Sequence, residues 1–282
     1  MIRRFGLLLP LLAAGAAHAA EPARERTDAP PLEPYKIILV GDSTMAPHSG
    51  WASAFCDRHV KSSVACLNLG RGGRSTRSYR AEGSWDIALG EARVPGYKAT
   101  YVLIQFAHND QSKVAERWTD LETEFPANLR RYVAEVRAAG AIPVLLTPLT
   151  RREFAQGRLK SSLEPWSTAI RSVATELKVP LVDLNARSAA AVEAMGAAEA
   201  TKLAQVPPLP AELAAAKAGT TLKPRPAPPS GEVAASVQGP RGRVTRKFDY
   251  THVGAEGAAL FAAMVARDLA LAAPALGSQL VP

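Results

Sequence analysis

The sequence predicts an α/β protein built on a parallel sheet with helices on both of its faces. Three observations predict it. Continuous apolar runs rich in β-branched residues recur along the chain, amphipathic stretches lie between them, and the two kinds of segment alternate. A strand apolar along its whole length must be covered on both faces, and alternation with helices supplies that cover.

The chain opens MIRRFGLLLPLLAAGAAHA, in which Arg3 and Arg4 precede an apolar stretch over 5–14 and small residues close on Ala19. Residues 1–19 therefore read as a secretory signal peptide cleaved after Ala19. That stretch is too short to span a bilayer, and no later segment approaches the length a membrane helix needs. Export to the periplasm or the medium is the expectation. Residues 20–34 read as a linker, and residues 35–282 as one domain with an appendage.

Within that domain the first strand occupies 36–40 of "YKIILVGDSTM" and stops on Gly41, Asp42, Ser43 and Thr44. A helix is expected over 51–59, a strand over 63–69, a short helix over 85–89 and a strand over 100–106. A helix over 121–139 follows, with Pro126 tolerable only near its start. Then come a strand over 141–147, a helix over 165–177, a strand over 179–184 and a final helix over 255–271. Residues 197–245 break the pattern, because eight of the chain's 22 prolines fall there among many alanines. They read as an insertion, extended apart from a helical turn or two over 212–217, and serving as a surface loop or a lid.

At 47% hydrophobic, the composition supports a full core. The formal charge of +8 falls by two to +6 once Arg3 and Arg4 leave with the signal. Arginine is spread along the chain without a nucleic-acid-like block, so a mild preference for an acidic polymer is the most the charge implies. Cys56 and Cys66 could close a small disulfide loop in an oxidising compartment or stay as two buried thiols. The histidines are scattered, HExxH is absent and two cysteines cannot build a thiolate site, so no metal site is expected.

A serine at the end of a buried strand is a nucleophile only if it has a base, a group orienting that base and donors for an oxyanion. "FDYTHVGAEG" places Asp249 and His252 three residues apart, a spacing that brings a carboxylate to Nδ1 of the imidazole and leaves Nε2 free. "NLGRGGRSTRSYRAEGSW" offers the Gly73 N–H, and "IQFAHND" offers the Asn109 side-chain amide. Each of these motifs alone is ordinary turn or cap chemistry. Ser43, Gly73 and Asn109, however, all follow the carboxyl ends of predicted strands, which share one edge in a parallel sheet.

In the spellings "GDSTM", "GGRSTRS", "HND" and "DYTH" the chain resembles the SGNH, or GDSL-like, hydrolases, and among them the rhamnogalacturonan acetylesterase group. The resemblance covers roughly residues 36–185 and 248–271. It implies a flavodoxin-like three-layer α/β/α sandwich without a cofactor. It implies Ser43 as nucleophile, His252 as base and Asp249 as its orienting group, with the amides of Ser43 and Gly73 and the side chain of Asn109 forming the oxyanion hole. Ahead of "HND" the family usually has glycine where this chain has Ala107, so a positive φ there would force the loop to shift.

The expected substrate is an acetylated polysaccharide, most specifically pectic rhamnogalacturonan, with acetylated xylan or short acyl and lipid esters as alternatives. A non-catalytic carbohydrate-binding protein is the alternative of another class. Arg74, Arg77 and Arg80 are candidate contacts to galacturonate carboxylates, unless they are solvated or paired internally. Trp51 and Trp85 can stack on sugars or lie in the core. His48 and Tyr79 fall near the site in sequence only, and oligomeric state is left open.

Overall fold

The computed structural model describes residues 34–223 and 248–281. The expected signal peptide, nearly all of the linker and the 224–247 part of the proline-rich segment lie outside the described residues. In chain order the elements are β1 (Tyr35–Gly41), α1 (Ala52–Arg58), β2 (Val64–Asn68), α2 (Ser78–Ala81), α3 (Ser84–Ala92), β3 (Ala99–Gln105) and α4 (Glu124–Ala138). They continue with β4 (Ile142–Leu146), the short hairpin β5 (Phe154–Ala155) and β6 (Arg158–Leu159), α5 (Glu164–Leu177), β7 (Leu181–Val182), α6 (Leu184–Ala200), α7 (Pro210–Lys217), α8 (Ala255–Ala272) and α9 (Pro274–Gly277). Among the described residues no helix is long and apolar enough to cross a membrane.

All five predicted strands are present, and they pair in parallel in the order β2-β1-β3-β4-β7. This is the flavodoxin-like order, whose chain reversal lies between β1 and β3. Alternate residues of each strand feed separate cores. Ile37 and Leu39 join Phe55, Val192, Phe261, Val265 and Leu269 on the face covered by α1, α6 and α8. Ile38 and Val40 join Trp85, Leu129, Tyr132, Val136, Ile170 and Val173 on the face covered by α3, α4 and α5. The result is the three-layer sandwich that the resemblance implies.

The structure departs from the sequence reading in the proline-rich region. Residues 197–223 are part of the fold: α6 runs through a kink at Gly196 (φ +76°), and Ala197, Ala200, Leu203 and Ala204 are buried. A 3₁₀ turn at Thr201–Leu203 leads to a bridge between Ala204 and Val253. This segment therefore braces the turn before α8. The hairpin β5–β6 and helix α6 have no counterpart in the sequence reading, and α4 begins later than expected. Asp120 terminates the preceding turn by accepting the N–H groups of Glu122 and Thr123. Cys56 of α1 and Cys66 of β2 form a disulfide, with their Cα atoms 5.6 Å apart.

Candidate active site

The site is assembled at the carboxyl edge of the sheet, where β1 and β3 run in register to the pair Gly41 and Gln105. After Gly41 the chain turns at once. The Asp42 carbonyl accepts from the N–H groups of Met45 and Ala46, and the Asp42 carboxylate accepts from the Thr44 N–H and hydroxyl, both at 2.8 Å. Only glycine fits at 41, since a Cβ there would lie 2.6 Å from the Gln105 carbonyl oxygen. Ser43 is thereby held at the rim, partly exposed, with its carbonyl receiving the Ser49 hydroxyl at 2.6 Å.

His252 Nε2 lies 2.8 Å from Ser43 Oγ, across 209 residues of chain, and His252 Nδ1 lies 2.7 Å from Asp249 Oδ2. The carboxylate thus accepts the Nδ1 proton, and Nε2 is left to take the serine proton. Asp249 also accepts the backbone N–H groups of Thr251 and His252, at 2.8 and 2.7 Å. Burial pushes its carboxyl upward, but these hydrogen bonds outweigh burial and hold it below the usual carboxylate range.

The turn carrying this pair is fastened by Arg152, a residue the sequence reading did not single out. Its guanidinium is buried and donates to the carbonyls of His252 (2.8 Å), Asp249 (3.1 Å) and Thr251 (3.3 Å). Burial lowers its pKa to about 10, opposed by the charge of Asp249, so it stays protonated at neutral pH. The only signal in the sequence was its place just beyond the fourth strand.

The predicted oxyanion donors converge on the same edge. Gly73 has φ +78°, a conformation open to glycine, and neither its N–H nor that of Ser43 donates a hydrogen bond among the described residues. A Cβ on the adjacent Gly72 would lie 3.8 Å from the Ser43 Cβ, which puts the glycine loop against the nucleophile. Asn109 donates one amide hydrogen to the Arg74 carbonyl at 3.0 Å, tying the β3 loop to the glycine loop. Ala107 does not displace that loop: it adopts φ +131° itself. The neighbouring His108 is buried and donates from Nε2 to the Leu149 carbonyl at 2.9 Å. Burial, with Arg151 and His252 adding repulsion, drives its pKa well below the ordinary histidine value.

Two acids support the edge from beneath. Burial raises Asp42 to about 6 against its bonds from Thr44, and raises Asp110 to about 7 against bonds from Thr76 and Thr119.

The structure turns the proposed sugar contacts elsewhere. Arg74 pairs with Glu82 at 2.7 Å, Arg77 with Glu124, and Arg80 with Glu135 at 2.8 Å. Trp85 is buried, packs edge-on against Tyr132 and donates to Glu135, because α3 faces the core rather than the cleft. Trp51 is likewise buried, with its indole N–H on Gln105. Tyr79 is buried against Phe106, and His48 lies on the surface beside the Val253 turn, its carbonyl held by Gln205. Among the described residues no group of three or more His, Cys, Asp or Glu side chains is placed to hold a metal ion.

Residues 39–206 match the GDSL-like Lipase/Acylhydrolase family. The rhamnogalacturonan acetylesterase RhgT of Bacillus subtilis is 35% identical over 179 residues, covering 61% of this chain and 74% of that one. The probable rhamnogalacturonan acetylesterase YesY of the same organism is 30% identical over 161 residues, covering 55% and 72%. The crystal structure of the Bacillus subtilis protein YxiM superposes with a TM-score of 0.55 at 22% identity, covering 85% of this chain and 57% of that one, and so shares the fold. With more than half its length matched by the family model, the chain belongs to the GDSL-like lipase/acylhydrolase family of carboxylic ester hydrolases.

Proposed function

We propose that this chain is an exported acetylesterase that removes O-acetyl groups from pectic rhamnogalacturonan through an acyl-enzyme on Ser43. The observation that carries the chemistry is the relay Ser43–His252–Asp249, with contacts of 2.8 and 2.7 Å, lying against a glycine loop whose Gly73 N–H donates no hydrogen bond among the described residues. Ser43 Oγ attacks the acetyl carbonyl while His252 Nε2 takes its proton. The amides of Ser43 and Gly73 and the second amide hydrogen of Asn109 receive the oxyanion. Collapse expels the sugar alkoxide, which takes the proton from His252 and leaves acetyl-Ser43. A water then attacks, giving its proton to His252, and collapse returns that proton to Ser43 and frees acetate.

The substrate rests on the similarity to two relatives named for rhamnogalacturonan, and export rests on the signal-like residues 1–19 together with the disulfide. The test is acetate release from acetylated rhamnogalacturonan, acetylated xylan and a long-chain ester. Preference for the first is expected. Ser43→Ala should lower the rate at least ~10³-fold. Undiminished release by that variant removes the mechanism, and preference for xylan or the long-chain ester removes the substrate.

A further inference from the structure

We infer that Arg117 forms a carboxylate-binding subsite beside the nucleophile, which takes a hexuronate carboxylate on or next to the acetylated sugar ring. The inference deepens the substrate reading above and rests on it for the identity of the sugar. It starts from Gly73, whose positive φ already calls for glycine and whose open side is covered by Arg117. An ideal Cβ there would stand 3.4 Å from Cζ and Nη2 of Arg117 and 3.5 Å from Nη1. Near-equal distances to the three atoms place the flat face of the guanidinium over the glycine, so its N–H edges point past the loop. Gly72, one residue earlier, abuts Ser43. The cation therefore lies one step along the glycine loop from the reacting oxygen.

Its position is built into the fold. Residues 111–118 form a loop whose buried ends are tied together. Thr119 donates to Asp110 from its N–H at 3.0 Å and from its hydroxyl at 3.1 Å, and Asp110 also accepts the Thr76 N–H at 3.0 Å. The Arg77 guanidinium holds the crest of the loop through the Ala115 carbonyl at 3.3 Å, and Arg117 closes a turn onto Val114. The same loop exposes Trp118, an aromatic face of the type that sugars stack on.

Charge accounting separates Arg117 from its neighbours. Arg71 and Arg74 share Glu82, Arg77 has Glu124 and Arg80 has Glu135. The Arg117 side chain makes no hydrogen bond or ion pair among the described residues, although it is partly buried against the oxyanion loop. A planar fork of donors without an internal partner is suited to a bidentate carboxylate.

The test is calorimetric titration of the wild type, Arg117→Gln and Arg117→Lys with trigalacturonate and with the uncharged galactose trimer, none of which requires turnover. The wild type should bind the charged trimer about tenfold or more tightly than the neutral one, as a charge-assisted pair implies. Arg117→Gln should lose that preference, and Arg117→Lys should keep part of it, showing that the loop still folds. Equal binding of the two trimers by the wild type, no binding of trigalacturonate, or an undiminished preference in Arg117→Gln overturns the subsite. Failure to release acetate from acetylated rhamnogalacturonan, with the charge preference intact, removes the substrate reading and leaves the subsite standing.

Discussion

Ala107 shows how far a single backbone angle can depart from what its side chain prefers. At φ +131° it occupies a region that strains a residue bearing a Cβ, at a cost of about 1–3 kcal/mol. Glycine would relieve that strain, but it gives the unfolded chain about 0.4–1 kcal/mol more entropy to lose and deletes a fully buried methyl worth about 0.8 kcal/mol. Ala107→Gly should therefore lie between about 0.8 kcal/mol less and about 1.8 kcal/mol more stable, measured by urea unfolding. A loss of more than about 1 kcal/mol would show that the loop bears no strain there. The departure from glycine was legible in the sequence as a conflict. Its resolution was not, because strain at one residue is tolerated only when surrounding contacts, here Asn109 on Arg74 and His108 on Leu149, hold the loop in place.

At the scale of elements, the turn before α8 depends on groups from two distant segments. Arg152 binds three of its carbonyls, and the Ala204 bridge holds Val253 from the other side. Arg152→Met would leave three partly buried carbonyls without this donor, and we expect a loss of about 2–4 kcal/mol in urea unfolding, with a lowered kcat on an aryl acetate. A wild-type kcat in that variant would show that Asp249 and His252 orient each other unaided. The strands were legible because each is a continuous apolar run. Helix α6 was not, because "NARSAAAVEAMGAAEA" carries few large apolar residues and so little periodicity. Its small side chains pack closely, which only the facing elements reveal.

For the whole molecule, the buried acids make stability depend on pH in opposite directions. Asp42 and Asp110 titrate near 6 and 7 in the fold against an ordinary 3.8, so the folded state holds protons that the unfolded chain has released. Their contribution is complete below about pH 4 and is lost as pH rises through 6 to 7. Asp249, lowered in the fold, contributes above the ordinary carboxylate value and loses that contribution as pH falls beneath it. The two acids therefore favour a higher melting temperature at pH 5 than at pH 8, opposed by buried His108, whose lowered pKa costs stability as pH falls through the ordinary histidine value. Asp110→Asn should shift the balance toward the higher pH. An Asp110→Asn variant whose melting temperature changes between pH 5 and pH 8 by the same amount as the wild type's would contradict the raised pKa of Asp110.

The order of apolar runs and helical stretches was enough to determine a parallel sheet, and a parallel sheet gathers its carboxyl ends on one edge whatever the connections do. Ser43, Gly73 and Asn109 were located by that rule, and the contact between Asp249 and His252 by local spacing. Tertiary structure alone decided that the imidazole reaches the serine across 209 residues. It also decided that Arg71, Arg74, Arg77 and Arg80 are already matched to Glu82, Glu124 and Glu135. Both outcomes depend on what packs beside a residue, and charges from distant segments find their partners only when the layers close.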